Sequence, residues 1–186
     1  TTTVEREDIR GYVPEERTLD EILTDLDKFV GMDEIKKVVK EVAYTVKNNL
    51  QLNERGIDVN HKMGLHAVLT GNPGTGKTSI ARKLGEILAS IGYLDSGHVV
   101  EVDRAHMVSQ YQGETPKLVD KLCDKAMGGI LFIDEAYTLA PVSNAGERDI
   151  QGEQALEKLM KRMEDDRGKF VVIAAGYRTQ MENLFR

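Results

Sequence analysis

Residues Gly71-Asn72-Pro73-Gly74-Thr75-Gly76-Lys77-Thr78 set glycines, a lysine and a hydroxyl at the spacing G-x-x-x-x-G-K-[ST]. Glycines let the backbone turn tightly enough for several N–H groups to face one point. A helix opening directly behind them adds its own N–H groups. The result is a cradle for polyphosphate. In it Lys77 reaches the β- and γ-phosphates and Thr78 offers its hydroxyl to Mg²⁺. Asn72, Pro73, Gly74, Thr75, Gly76 and Ser79 complete the nucleotide-binding segment. Ordinary residue frequencies give roughly 0.01 chance matches in a chain of this length, so a phosphate site is the reading to carry forward. The flanks agree. Ala67-Val68-Leu69 reads as a buried strand, and Ile80, Leu84, Ile87, Leu88 and Ile91 recur at helical spacing.

A second constellation is Ile130-Leu131-Phe132-Ile133-Asp134-Glu135, four apolar residues followed by two acids. Asp134 falls at the C-terminal end of a buried strand, where open α/β sheets bind ligands. It suits the Mg²⁺ shell that Thr78 begins. Glu135 points to the other side of the strand and is placed to orient or deprotonate an attacking water. A phosphotransferase can do without this second acid; a hydrolase benefits from it. Phe170 to Ala175 is a further apolar strand, ending in Gly176-Tyr177-Arg178. Tyr177, with Arg178 beside it, is the polar candidate for the γ-phosphate end of the site. No Asn-Lys-x-Asp segment reads guanine, so ATP or ADP with Mg²⁺ is the expected ligand.

These groups need elements to hold them. Residues 1–18 lack a periodic pattern and read as an extended arm. Leu19, Ile22, Leu23 and Leu26 mark a helix to Phe29, which Val30-Gly31-Met32 interrupts. A longer helix follows, with Ile35, Val38, Val39, Val42, Val46 and Leu50 on one face. Residues 53–62 read as loop, 66–70 as strand, and His98–Val102 as a second strand. A helix over 115–127 is stopped by Gly128-Gly129, and Ile130–Ile133 is the third strand. After a polar loop over 140–151 comes a helix over 152–165, with Leu156, Leu159, Met160 and Met163 inward. Phe170–Ala175 is the fourth strand. Strands alternating with helices predict an α/β fold, a mostly parallel sheet covered on both faces.

Bulk properties exclude several classes. With 186 residues the chain holds one α/β domain, or one with a small appendage. No apolar run approaches the ~20 residues of a membrane span, and the start, Thr-Thr-Thr-Val-Glu-Arg-Glu-Asp, carries no secretory signal pattern. Cys123 sits at core spacing with Leu118, Leu122 and Ala126 and reads as a small hydrophobe. A single cysteine fits a reducing, cytoplasmic setting. A net charge of −6 speaks against a general nucleic-acid surface. The four histidines show no metal-ligand spacing.

Taken in order, the motifs resemble an AAA+ ATPase, and more narrowly the CbxX/CfqX family. That family includes red-type Rubisco activases, the stage V sporulation protein K type and type VII secretion ATPases. The resemblance runs from about Val30 to Arg186 and rests on the phosphate loop, on Gly129-Ile-Leu-Phe-Ile-Asp-Glu-Ala-Tyr137, and on Ala175-Gly-Tyr177 before Met181. It implies a P-loop NTPase fold, a three-layer αβα sandwich. Residues 30–186 would be the large ATPase subdomain and residues 1–29 an N-terminal arm and helix. Lys77 and Thr78 would be Walker A residues, and Asp134 and Glu135 Walker B residues. Val30-Gly31-Met32 matches the linker that lines the adenine pocket, and Tyr177 stands at the sensor-1 position. Tyr111-Gln112-Gly113 falls at an aromatic-hydrophobic-glycine pore loop, with Gln112 where the family carries an aliphatic residue. The turn-forming Gly113 and Pro116 keep strand and helix from running through this loop. The family's arginine finger and helical lid would follow Arg186, so the sequence is expected to be a piece of a longer chain. The implied activity is ATP hydrolysis by a homo-hexameric ring that remodels a protein client. A nucleotide-dependent adaptor and a nucleic-acid motor stay open as alternatives.

Overall fold

A computed structural model describes residues 17–29, 31–59, 64–72, 74–140 and 148–184. Helix α1 (Leu19–Asp27) begins with a capping box. The Thr18 hydroxyl accepts from the Glu21 N–H, while the Glu21 carboxylate accepts from the Thr18 N–H. α2 (Asp33–Glu54) starts after Gly31 and Met32, both left-handed at φ 77° and 60°. There follow β1 (Ala67–Thr70), α3 (Lys77–Ser90), β2 (Val99–Val102) and a single turn, α4 (Arg104–Met107). Next come α5 (Thr115–Ala126), β3 (Ile130–Ile133), a 3₁₀ turn (Ala136–Leu139), α6 (Ile150–Asp165), β4 (Val171–Gly176) and α7 (Arg178–Leu184).

The strands form one parallel sheet in the order β1-β4-β3-β2. α3 carries the chain from one edge to the other on one face. α5 and α6 bring it back through neighbouring strands on the opposite face. Each central strand feeds both faces, because successive side chains point opposite ways. Ile130, Phe132, Val171 and Ile173 pack with α1, α2 and α3. Leu131, Ile133 and Val172 pack with Val119, Cys123, Ala155 and Leu159 of α5 and α6. This is the three-layer α/β sandwich expected of the sequence.

Two expectations about inward side chains need correction, and several element bounds shift by one or two residues, as at the ends of α1 and α2 and the start of α6. Val38 is 56% exposed and Met160 59% exposed, although the helical period places both on inward faces. Period alone marks a stripe; the width of the layer beneath decides how much of it is covered. On α2 that layer reaches Val39, Ala43 and Val46. α6 starts at Ile150 rather than 152, because Asp149 caps it by accepting from the Gly152 N–H at 3.0 Å. Residues 1–16 of the arm expected over 1–18, Val30, residues 60–63, Pro73, residues 141–147 and residues 185–186 lie outside the described residues.

Arg162 of α6 clamps the outer helices together. Its guanidinium donates to Asp120 and Asp124 on α5 and to Asp166. Cys123 lies beneath, and burial pushes its thiol up to about 11. It is a protonated core hydrophobe, not a nucleophile.

His66, just before β1, accepts the Val172 N–H on Nδ1 at 2.9 Å and stands edge-on to Phe170. Burial lowers its pKa, the Met163 backbone opposes this, and the nearby Arg167 adds to the lowering. Below its ordinary value of 6.5 the unfolded chain therefore takes up a proton before the folded chain does. Stability is complete above that pH and falls as pH drops through it toward the lowered folded value. Denaturant melts of this chain at successive pH values should show that loss, and His66→Gln, a neutral acceptor, should flatten it. An unchanged slope in the variant would assign the pH dependence elsewhere.

Candidate nucleotide-binding site

The phosphate loop starts where β1 and β4 end side by side. The Gly71 N–H donates to the Gly176 carbonyl at 3.1 Å, so the loop and the end of β4 are held as one piece. Gly74 and Gly76 are left-handed, at φ 70° and 81°. A side chain would be strained at either, which is the physical reason for glycine there. The Thr75 hydroxyl donates back to the Asn72 carbonyl at 2.8 Å and closes the turn. Lys77 Nζ lies under the loop, donating to the Gly71 and Asn72 carbonyls at 3.0 and 2.9 Å. Gly76 precedes α3 as its N-cap residue and offers no side-chain cap, so the first N–H groups of the helix and the positive end of its dipole lie at the cleft.

Opposite stands the end of β3. The Asp134 N–H continues the sheet by donating to the Val102 carbonyl at 2.8 Å, and Asp134 Oδ1 accepts from the Glu135 N–H at 3.0 Å. Glu135 is left-handed at φ 49° and ψ 43°. For a residue with a side chain that conformation is strained, and it swings the chain out of the sheet direction at the acid itself. The Glu135 carbonyl then receives both the N–H and the hydroxyl of Thr138.

Gly71, Gly74, Thr75, Gly76, Lys77, Thr78, Asp134, Glu135, Gly176 and Tyr177 line a cleft of about 360 Å³. The structure thus brings together the phosphate loop, both acids and the tyrosine. Met32 also approaches: its Cε lies 3.6 Å from where a Cβ on Gly76 would stand. Gly31 sits in the turn before it, with nothing packed against its Cα face. Ser79 is exposed on α3, Arg178 is exposed beyond the cleft, and Tyr111, Gln112 and Gly113 form a separate exposed loop.

Sequence reasoning missed Tyr137. Its ring pairs with Tyr177 at 6.0 Å between centroids, tilted 50°. Burial raises its phenol pKa most, and the carboxylates of Glu135 and Asp134 add to it. A Cβ on Gly176 would lie 2.8 Å from the Tyr137 ring and from Met181 Sδ. Glycine before Tyr177 is therefore a packing requirement of this tyrosine pair. No local pattern announces it, because the contact is long-range.

The donor set fits a nucleotide with its metal. An uncapped helix start, a lysine and a glycine-rich turn suit phosphate oxygens. One hydroxyl and one carboxylate suit Mg²⁺, which takes few protein ligands and keeps water and phosphate oxygens. Among the described residues no cluster of three or more His, Cys, Asp or Glu is arranged for a metal. None of their helices is long and apolar enough to cross a membrane.

Comparison with known proteins agrees. The ATPase family associated with various cellular activities (AAA) matches residues 67–185. Stage V sporulation protein K of Bacillus subtilis (strain 168) is 41% identical over 166 residues, 89% of this chain and 50% of that protein. The chloroplastic ribulose bisphosphate carboxylase/oxygenase activase of Cyanidioschyzon merolae is 39% identical over 168 residues, 90% of this chain and 56% of that one. Protein CbbX of Cereibacter sphaeroides is 41% identical over 167 residues, covering 89% and 53%. The chain spans about half the length of these curated relatives. Among solved structures, a chain of the E. coli MS115-1 HORMA:CdnC:Trip13 complex superposes with a TM-score of 0.59. That match covers 86% of this chain and 60% of that one at 19% identity, a likeness of fold alone. By profile, relatives and architecture, the chain belongs to the AAA family of ATPases, and within it to the CbxX/CfqX type.

Proposed function

We propose that this chain is the ATP-binding and hydrolysing core of a cytoplasmic, ring-forming motor, a homo-hexamer that remodels a protein client. The observation that carries the reading is the cleft in which the uncapped start of α3, Lys77, Thr78, Asp134, Glu135 and Tyr177 converge. Residues 30–186 are its large ATPase subdomain, preceded by an arm and helix over 1–29. The loop amides and Lys77 hold the phosphates. Val30, Gly31 and Met32 form the adenine side, Met32 being the one seen against the loop. Thr78 and Asp134 hold Mg²⁺, which when bound neutralises phosphate charge. Glu135 takes the proton of the attacking water. Tyr177, braced by Tyr137, faces the terminal phosphate.

Hydrolysis distinguishes this reading from a nucleotide-dependent adaptor, which has no use for an acid placed as Glu135 is. One relative is named as an activase of ribulose bisphosphate carboxylase/oxygenase, an action on a protein, and this supports a protein client here. Tyr111 is 73% exposed at the tip of a loop turned by Gly113 at φ 77°. Large aromatic rings grip other chains by area and stacking. Together with Gln112 and Gly113 it forms the client-contacting loop. In the full-length protein Tyr111→Ala should abolish client remodelling, and Tyr111→Phe, which keeps the ring, should retain it. Remodelling that survives Tyr111→Ala removes this loop from the client contact.

A further inference from the structure

Tyr111 and Glu135 belong to different segments, yet a path of hydrogen bonds and one short helical turn connects them. The Glu135 carbonyl accepts from the Thr138 hydroxyl at 2.7 Å. The Thr138 carbonyl accepts from Arg104 Nη1 at 2.7 Å, and the same nitrogen donates to the Asp149 carboxylate. Asp149 caps α6, and Gln151 stands in the first turn of that helix. Gln151 Oε1 accepts from the Thr115 hydroxyl at 3.0 Å. Thr115 Oγ1 accepts from the Ser109 N–H, and Ser109 Oγ accepts from the Tyr111 N–H, each at 3.1 Å.

Two features give this path stiffness. Thr115 is fully buried and uses its hydroxyl both as donor and as acceptor. Buried polar groups joined in this way strengthen one another and hold a single arrangement. A Cβ on Gly152 would lie 2.7 Å from both the Leu139 carbonyl and Asp149 Oδ2. The start of α6 is thus packed closely against the end of the 3₁₀ turn. At the head of the path Glu135 holds a left-handed, strained backbone.

We infer that Arg104 and Thr115 are positioning residues that make the Tyr111 loop answer to the nucleotide held beside Glu135. This rests on the nucleotide reading of the cleft. Arg104 ties the turn behind Glu135 to α6, and Thr115 ties α6 to the loop. The chain has no tryptophan, so Tyr111→Trp introduces a local reporter, read as the difference from the parent protein.

In the full-length protein carrying Tyr111→Trp, the indole emission should differ between MgADP and a slowly hydrolysed ATP analogue. Adding Thr115→Val or Arg104→Gln should shrink that difference to a small fraction of its size. Thr115→Ser, which keeps the hydroxyl, should restore it. A merely structural role would predict no such rescue of a nucleotide-dependent signal. A difference that persists in both Thr115→Val and Arg104→Gln overturns the relay. Nucleotide affinity, measured in the same samples, separates the two readings. Tight binding with no emission difference in Tyr111→Trp overturns the relay alone. Absence of binding overturns the reading of the cleft, and the relay with it.

Discussion

Glu135→Gln in the full-length protein should bind MgATP as tightly as the parent and turn it over on the order of 10²–10⁴ times more slowly. Glutamine fills the same space and can still hydrogen-bond a water, but it cannot take the proton. Asp134, Thr78 and Lys77 are untouched, so affinity is expected to hold. The structure sharpens the expectation. The left-handed backbone at Glu135 and the two bonds to its carbonyl belong to the main chain and survive the change. The side chain's chemistry is thereby separated from its placement. Phosphate release at saturating ATP, with a nucleotide titration beside it, measures both quantities. Turnover at the parent rate would remove Glu135 from the activation of water.

Lys77→Ala should weaken MgATP binding by about 1.5–3 kcal/mol, roughly 10- to 150-fold, the range for a hydrogen bond to a charged group. Here the lysine also braces its own loop through the Gly71 and Asn72 carbonyls. Two losses are therefore mixed in the alanine variant. Lys77→Met keeps the aliphatic stem and removes the ammonium, and melting without nucleotide reports the brace by itself. Calorimetry on both variants should show the full affinity loss in each. A variant that melts earlier yet binds MgATP as tightly as the parent would make Lys77 a loop fastener and nothing more.

Much of the framework is legible in the sequence because it is local. The phosphate loop, the run Ile130–Ile133 and the acids behind it are contiguous strings whose pattern and placement coincide. The apolar run at Phe170–Ala175 starts one residue ahead of its strand, since Phe170 is buried but stands outside the ladder. α4 and the 3₁₀ turn leave no signal, each only four residues long and too short to show a period. Val38 and Met160 show the other limit, in which a helical stripe is real and its cover narrower. The bonds from Arg104 to Thr138 and Asp149 span 34 and 45 residues, and nothing near Arg104 in sequence points to either partner. The tyrosine pair is similar, with Tyr137 and Tyr177 brought together by two strand ends that adjoin in the sheet.

The alternation along β3 has a consequence for how this sequence can change. Ile130 and Phe132 serve one core, Leu131 and Ile133 the other, and Asp134 follows in the same phase. Such a strand has a reading frame. A substitution alters one letter, whereas one residue inserted or deleted within the strand inverts the address of the side chains that follow it up to the strand end, because the period is two. Both cores would then receive each other's residues, and Asp134 would be turned away from the cleft it lines in the same event. Packing and chemistry are spelled here in a single phase, so an insertion or deletion that garbles one necessarily garbles the other.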